Sequence, residues 1–89
     1  MQDDPFAGQK PEIEYPTEWG FRVVGTPESE LRALIAETLA DDTHHIQDVQ
    51  PSSKGNYVSV RVTVTVQDEM HRNRIYDALS QAPAVKMVL

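Results

Sequence analysis

The chain has 89 residues, a net charge of −6 and no cysteine. This length accommodates one domain with a small core and little room for a deep catalytic cleft, which favours a binding role. The lack of cysteine excludes disulfides, thiol catalysis and cysteine-ligated zinc. The acidic excess argues against binding to nucleic acid or to anionic membranes. We predict a cytoplasmic protein, because neither a signal peptide nor a membrane-spanning run is apparent.

Residues 1–17 contain three of the six prolines, together with acidic and small residues. Such a composition cannot bury enough apolar surface to offset the entropy of ordering the chain. We therefore predict a disordered acidic N-terminal tail at 1–17, with Tyr15 docking beside the first strand, and a folded domain at 18–89.

The first strand and helix of this domain are predicted next. Large apolar residues alternate with small or polar ones from Trp19 to Val23, which indicates a half-buried strand with Arg22 facing away from the core. Thr26 is placed to cap the first helix, and Pro27 suits the first helical position. Apolar residues at helical spacing extend this helix to about residue 40 or 41.

Two further strands are predicted around a turn. Residues 46–50 form a weak strand, whose closing proline suits an edge position. Residues 52–56 form the turn, where Gly55 and Asn56 are available for a positive φ. Every second residue from Val58 to Val66 is valine, which predicts a long central strand with one core face and one solvated face.

A second helix and a last strand complete the pattern. Asp68 can cap the helix, and Pro83 is predicted to end it. The residues expected to point inward are Met70, Ile75, Ala78 and Leu79. Residues 84–89 then form a short strand. The order βαββαβ predicts an α+β, ferredoxin-like two-layer sandwich, with two helices on one face of a four-stranded antiparallel sheet.

A family resemblance is carried by the string Ser-Ser-Lys-Gly-Asn-Tyr at 52–57. Supporting matches lie at Tyr15-Pro16, Val24-Gly25, Ser59-Val60 and Val85–Leu89. Over about residues 15–89 the chain resembles the YbeD-like family of small bacterial proteins of unknown function.

This resemblance implies an ACT-like fold, similar to the regulatory domains of amino-acid metabolism, and a link to lipoate metabolism. It supplies no catalytic residues. ACT domains commonly bind small effectors near the loop after the first strand, which corresponds here to Gly25 and Thr26. The following Pro27-Glu28 departs from the usual Pro-Gly order, which argues against amino-acid binding.

The loop at 52–57 is the first candidate site for a ligand or partner. Its hydroxyls, ammonium group and flexible glycine could cradle a carboxylate or a phosphate. The residues concerned are Ser52, Ser53, Lys54, Gly55, Asn56 and Tyr57. The alternative is a hairpin turn, since glycine, asparagine and serine are ordinary turn residues. Neither the P-loop spacing nor the Ser-x-x-Lys pattern of a nucleophile is present.

Arg22 and Arg61 form the second candidate site, because strand alternation places both on the uncovered face of the sheet. They could bind an acidic protein partner or a small anionic metabolite, and simple solvation of the face is the alternative. The same face, or an edge strand, also suits a homodimer.

No metal or cofactor site is predicted. Asp41, Asp42, His44 and His45 have suitable ligand types, but adjacent loop residues seldom converge on one ion, which favours a surface loop. His71 is predicted to be a solvated helix residue.

These observations favour a regulatory or binding domain that is not an enzyme. Two alternatives differ in class. A small enzyme would need a general base or nucleophile with a positioned partner, and no such pair is evident. An RNA-binding module of RRM-like topology would need aromatic residues on its central strands, where this chain predicts hydroxyls and arginine.

Overall fold

The computed structural model describes residues 13–52 and 55–89. The predicted tail therefore falls largely outside the described residues, as do the loop residues Ser53 and Lys54. The chain forms, in order, β1 (Thr17–Gly25), α1 (Glu28–Thr38), β2 (His44–Pro51), β3 (Val58–Val66), α2 (Glu69–Ser80) and β4 (Val85–Val88). This order is the βαββαβ order that the sequence predicts.

The four strands form one antiparallel sheet in the order β2-β3-β1-β4. Strands β1 and β3 lie at its centre and pair along their whole lengths, while β2 takes the predicted edge position. Strand β4 pairs only with the end of β1, at Val23–Gly25. Among the described residues, the stretch Thr17–Phe21 therefore has no strand on its β4 side. The prediction of an α+β, ferredoxin-like fold is confirmed.

The core lies between one face of the sheet and the two helices. Its buried residues are Phe21, Val23, Leu31, Ile35, Leu39, Val60, Val62, Val64, Val66, Ile75, Leu79 and Val88. The alternating valines of β3 supply the centre of this core, as predicted. Val58 is only half-buried, because it lies at the hairpin end of the strand. Neither helix of the described residues lies on the opposite face of the sheet, which we call the uncovered face.

Helix α1 begins one residue later than predicted, with Pro27 rather than Thr26 at the N-cap. The reason is that the Thr26 N–H donates to the carbonyl of Ala84, with an N–O distance of 3.0 Å. Thr26 is thereby bound to the turn before β4 and does not cap the helix. The helix also ends earlier than predicted, at Thr38, and Leu39 leaves it to fill the core.

Helix α2 begins as predicted, with Asp68 at the N-cap, but ends at Ser80, before Pro83. The prediction that Met70 and Ala78 point inward is wrong, because both are exposed. Ile75 and Leu79 do face the core. Ile75 lies five positions after Met70 in the helix, so their side chains point about 140° apart around its axis.

Strand β2 is longer than predicted and begins at His44, because its pairing with β3 continues to Val64. His44 and His45 therefore lie in a strand and not in a surface loop. In the following turn, Gly55 has a φ of 73°, whereas Asn56 does not take the positive φ for which it seemed available. The last strand is slightly shorter than the predicted 84–89.

Candidate functional site

The uncovered face of the sheet brings Arg22 and Arg61 into direct opposition. They are Cα partners in the register of β1 and β3, and both are exposed. Side chains at such positions start about 5 Å apart at Cβ. We call these two residues the arginine pair. Strand alternation predicts that they share a face, but it does not predict that they face each other across two strands.

No carboxylate of residues 13–52 and 55–89 forms an ion pair with the arginine pair. Asp48 is the partner of Arg61 in the register of β2 and β3. Its Oδ2 instead accepts a hydrogen bond from Nε2 of Gln50, 3.0 Å away. Like charges directly opposite each other on a sheet are destabilising. The arrangement is therefore electrostatically suited to an anion.

An open cavity of about 410 Å³ surrounds the arginine pair. Its lining residues are Arg22, Val24, Asp48, Gln50, Pro51, Ser52, Tyr57, Val58, Ser59 and Arg61. Three of these lining residues carry hydroxyl groups: Ser52 and Tyr57 from the turn between β2 and β3, and Ser59 from β3. The structure thus brings part of the predicted 52–57 loop to the two predicted arginines.

The described part of that loop is a closed hairpin turn. The Ser52 carbonyl accepts from the Gly55 N–H at 3.0 Å, and the Ser52 N–H donates to the Tyr57 carbonyl at 2.7 Å. The Ser52 Oγ accepts from the N–H groups of Asn56 and Tyr57, at 3.2 and 3.3 Å. These four N–H groups are already bonded within the turn, so this part of the loop offers a ligand its side chains rather than a nest of amides.

Gly25 and Thr26, the other predicted ligand residues, lie outside the lining of this cavity. A Cβ at Gly25 would collide with the carbonyl oxygen of Ala84 and approach a methyl group of Leu31. Close packing against the Ala84 backbone is therefore sufficient to explain why a glycine occupies position 25. Thr26 takes part in the same junction through its backbone bond to Ala84.

An aliphatic strip borders the arginine pair on the β4 side. We define it as Val24, Met87 and Leu89. Met87 is the register partner of Val24, and its side chain is 45% exposed. Leu89 exchanges two backbone hydrogen bonds with Arg22, at 2.8 and 2.9 Å, and is 66% exposed. The uncovered face is therefore polar towards β2 and aliphatic towards β4.

His71 is not the solvated residue that the sequence predicts. Its side chain is only 12% exposed, and its Nε2 lies 3.0 Å from Oδ1 of Asp42. Its Nδ1 accepts from the Gln67 N–H at 2.9 Å, so Nε2 carries the proton in this pairing and donates it to Asp42. The pair joins α2 to the turn before β2. One signal was available: His71 precedes the buried Ile75 by four residues and so shares its face of the helix.

Arg72 holds the start of the described chain against α2. Its guanidinium stacks on the ring of Trp19 at 4.3 Å and donates to the Tyr15 hydroxyl at 3.4 Å. The ring of Tyr15 packs against the core. The expected docking of Tyr15 is therefore present.

Within residues 13–52 and 55–89, no group of three or more histidine or acidic side chains is placed to hold a metal ion. In the same part of the chain, no helix has the length and hydropathy that a membrane span requires.

A family model described as a protein of unknown function, DUF493, matches residues 10–89. The chain belongs to the DUF493 family. This finding confirms the YbeD-like resemblance noted at 52–57. DUF493 relatives include a UPF0250 protein of Neisseria gonorrhoeae, 39% identical over 82 residues, with 86% of this chain and 89% of the relative covered. A UPF0250 protein of Idiomarina loihiensis is 33% identical over 79 residues, with 86% and 90% covered.

Solved structures support the same fold for this DUF493 member. The solution structure of protein HP0495 from Helicobacter pylori has a TM-score of 0.78 and 27% identity, and the match covers 100% of this chain and 98% of that one. The ACT domain from the GTP pyrophosphokinase of Chlorobium tepidum has a TM-score of 0.60 and 17% identity, with 81% and 94% covered. The second likeness concerns the fold alone.

Proposed function

We propose that this protein is a regulatory domain that binds an anionic group on the uncovered face of its sheet. The observation that carries the proposal is the arginine pair: two cations directly opposite each other, without an ion-pair partner among the described residues. An anion placed between them would convert a repulsive pair into two favourable contacts. The ACT-like fold is consistent with a regulatory role and is supporting evidence only.

The proposed ligand carries a carboxylate or a phosphate, because a guanidinium matches the oxygen spacing of both groups and binds them through paired hydrogen bonds. The hydroxyls of Ser52, Ser59 and Tyr57 would donate further hydrogen bonds from the β2–β3 hairpin. A small anionic metabolite and an acidic side chain of a protein partner both satisfy this chemistry. The link to lipoate metabolism stays a prediction, and lipoate itself carries a suitable carboxylate.

The state of the partly buried His71–Asp42 pair favours binding over catalysis. His71 uses one ring nitrogen on Asp42 and the other on the Gln67 N–H, so neither nitrogen is placed to take a proton from a substrate. The side chains of β1 and β3 also argue against RNA binding, which would need aromatic rings on the exposed face. The outward positions of these strands carry charged, small, aliphatic or hydroxyl side chains. The aromatic residues Trp19 and Phe21 pack on the core side instead. Cytoplasmic location and homodimer formation remain expectations.

The test is a thermal-shift and NMR titration of the full chain with inorganic phosphate, glutamate, citrate and lipoate. We expect at least one of these anions to raise the melting temperature and to move the amide signals of Arg22 and Arg61. The change Arg22→Gln or Arg61→Gln should abolish both effects.

Arg32→Gln is the matched control, because Arg32 is exposed on α1 and pairs with Glu28 there. It should leave anion binding unchanged. Shifts that persist in the Arg22→Gln and Arg61→Gln chains, or that map to the helices, would refute the proposed site.

A further inference from the structure

We propose that residues 1–12 of this chain dock on the uncovered face and compete there with an external anion. The inference rests on the proposed function, because it assigns an internal competitor to the same arginine pair. The side chains of residues 1–12 include three carboxylates and one ammonium group. The face to which we assign them carries two guanidinium groups that have no ion-pair partner within residues 13–52 and 55–89, next to exposed aliphatic side chains.

The order of side chains in the segment matches the order on the face. Asp3 and Asp4 are followed by the apolar Phe6. In an extended chain, alternate residues such as Asp4 and Phe6 project to the same side, about 7 Å apart. On the sheet, Arg22 has Leu89 directly beside it on the next strand, where hydrogen-bonded partners lie about 5.5 Å apart at Cα. A carboxylate on the arginine pair would therefore place an aromatic ring over the aliphatic strip.

The path of the chain permits this docking. Tyr15 is held against α2, on the helix side of the sheet. The segment before it must pass around an edge to reach the uncovered face. The β4 side of Thr17–Phe21 offers that passage, because no described strand occupies it.

The length of the segment is also sufficient. Seven residues along the strand direction separate Tyr15 from Arg22, a span of about 23 Å. Eleven residues separate Asp4 from Tyr15, which gives a reach of about 36 Å when extended. The difference leaves enough chain to round the edge of the sheet. Because the segment is tethered, its effective concentration at the face is of the order of millimolar, which allows a weak contact to compete with a ligand.

The absence of cysteine from the chain allows a direct test with one spin label. The full chain with Gln2→Cys carries a nitroxide, and its effect on amide signals is measured by NMR without added ligand. We expect loss of signal at Val24, Arg61 and Met87, and little loss at Asn73 on the outer side of α2. Replacement of Asp3 and Asp4 by asparagine in the same labelled chain should restore the lost signals.

The matched control removes the same charge from exposed helix positions, through Glu37→Gln and Asp77→Asn, and should leave the signal loss intact. Loss spread equally over face and helices, or loss that survives Asp3→Asn and Asp4→Asn, would overturn the proposal. A mixture of labelled chains with separate ¹⁵N-labelled chains tests the alternative occupant. Signal loss in that mixture would place the segment on a second copy and would also overturn docking within one chain.

Citrate titration separates this inference from the proposed function. If both hold, citrate should bind the Asp3→Asn, Asp4→Asn chain about threefold or more tightly than the unmodified chain, because the tethered competitor is removed. Equal citrate affinity in the two chains would count against competition while leaving the anion site standing. If none of phosphate, glutamate, citrate and lipoate moves a face signal in either chain, the proposed function loses its support, and the label result still decides where the segment lies.

Discussion

The two faces of the sheet satisfy their side chains in different ways. The face under the helices is closed by valine, leucine and isoleucine, and no buried polar side-chain atom within residues 13–52 and 55–89 lacks a hydrogen-bond partner. The uncovered face presents two opposed arginines, hydroxyls and exposed aliphatic side chains. Stability is therefore concentrated on one side of the sheet, and the binding that we propose takes place on the other.

The contrast between the two faces shows where a small domain can tolerate two like charges opposite each other. A repulsive pair in the core would be prohibitive, because desolvated charges are costly. On a solvated face the same repulsion costs a few tenths of a kcal/mol and can be retained for binding. The contrast between the faces yields four predictions, given in order of decreasing effect on the free energy of unfolding.

The largest effect is expected for Leu79→Ala on the closed face. Leu79 is completely buried, and removing its side chain leaves a cavity that should lower the free energy of unfolding by about 3 kcal/mol. Urea unfolding followed by circular dichroism measures the change. Met70→Ala on the same helix is the control and should alter stability by less than about 0.5 kcal/mol, since Met70 is 71% exposed. Similar losses at the two positions would contradict the assigned core.

Gly25→Ala should have the next largest effect. The added Cβ would meet the Ala84 carbonyl and a methyl group of Leu31, so β1 and the turn before β4 must move apart. We expect a loss of about 2 kcal/mol in urea unfolding. Gly20→Ala provides the comparison, because nothing lies within 4 Å of a Cβ at Gly20. A tolerated Gly25→Ala would revive a functional explanation for this glycine.

The fold was largely predictable from the sequence, for physical reasons that the first two predictions illustrate. Burial in β3 follows from a period of two, and burial of Ile75 and Leu79 follows from their spacing along a helix. Both patterns can be recognised within a short stretch of sequence, without knowledge of the tertiary structure. The prediction for Met70 is wrong because apolar character alone does not determine burial, and the angular position of Met70 on α2 turns it away from the core.

The site was predictable only in part. Alternation places Arg22 and Arg61 on one face, and the hairpin brings Ser52 and Tyr57 near Arg61. The direct opposition of the two arginines depends on the register between β1 and β3, which the sequence leaves open because several registers keep the same residues buried.

The pairing of His71 with Asp42 was missed for a related reason. It joins residues far apart in the sequence, and only the packing of α2 against the turn before β2 brings them together.

Asp42→Ala should have an intermediate effect. The change leaves the Nε2–H of His71 without its partner in a largely buried position, and we expect a loss of about 1 kcal/mol. Asp42→Asn keeps an acceptor oxygen at the same place and should retain more than half of that stability. Urea unfolding at neutral pH measures both variants. Equal losses for the two would indicate that charge, rather than the hydrogen bond, matters at this position.

The smallest effect, and one of opposite sign, is expected on the uncovered face. Arg22→Gln removes the repulsion with Arg61 and should raise the free energy of unfolding by about 0.3 kcal/mol at low ionic strength. Arg74→Gln, on exposed α2, removes the same charge elsewhere and should not stabilise the chain. The gain at Arg22 should shrink as salt is added, and a destabilised Arg22→Gln chain would show that the arginine contributes packing instead.

A double-mutant cycle on Arg22 and Arg61 tests the central claim most directly. The free energy of unfolding is measured for the unmodified chain, Arg22→Gln, Arg61→Gln and the double variant, first without added anion and then with the anion that gives the largest thermal shift. Without the anion, the coupling between the two arginines should be unfavourable by a few tenths of a kcal/mol. With the anion bound, the coupling should become favourable, because both guanidinium groups then hold the same ligand. A coupling that stays near zero, or that keeps its sign when the anion is added, would contradict the assignment of the arginine pair as the binding site.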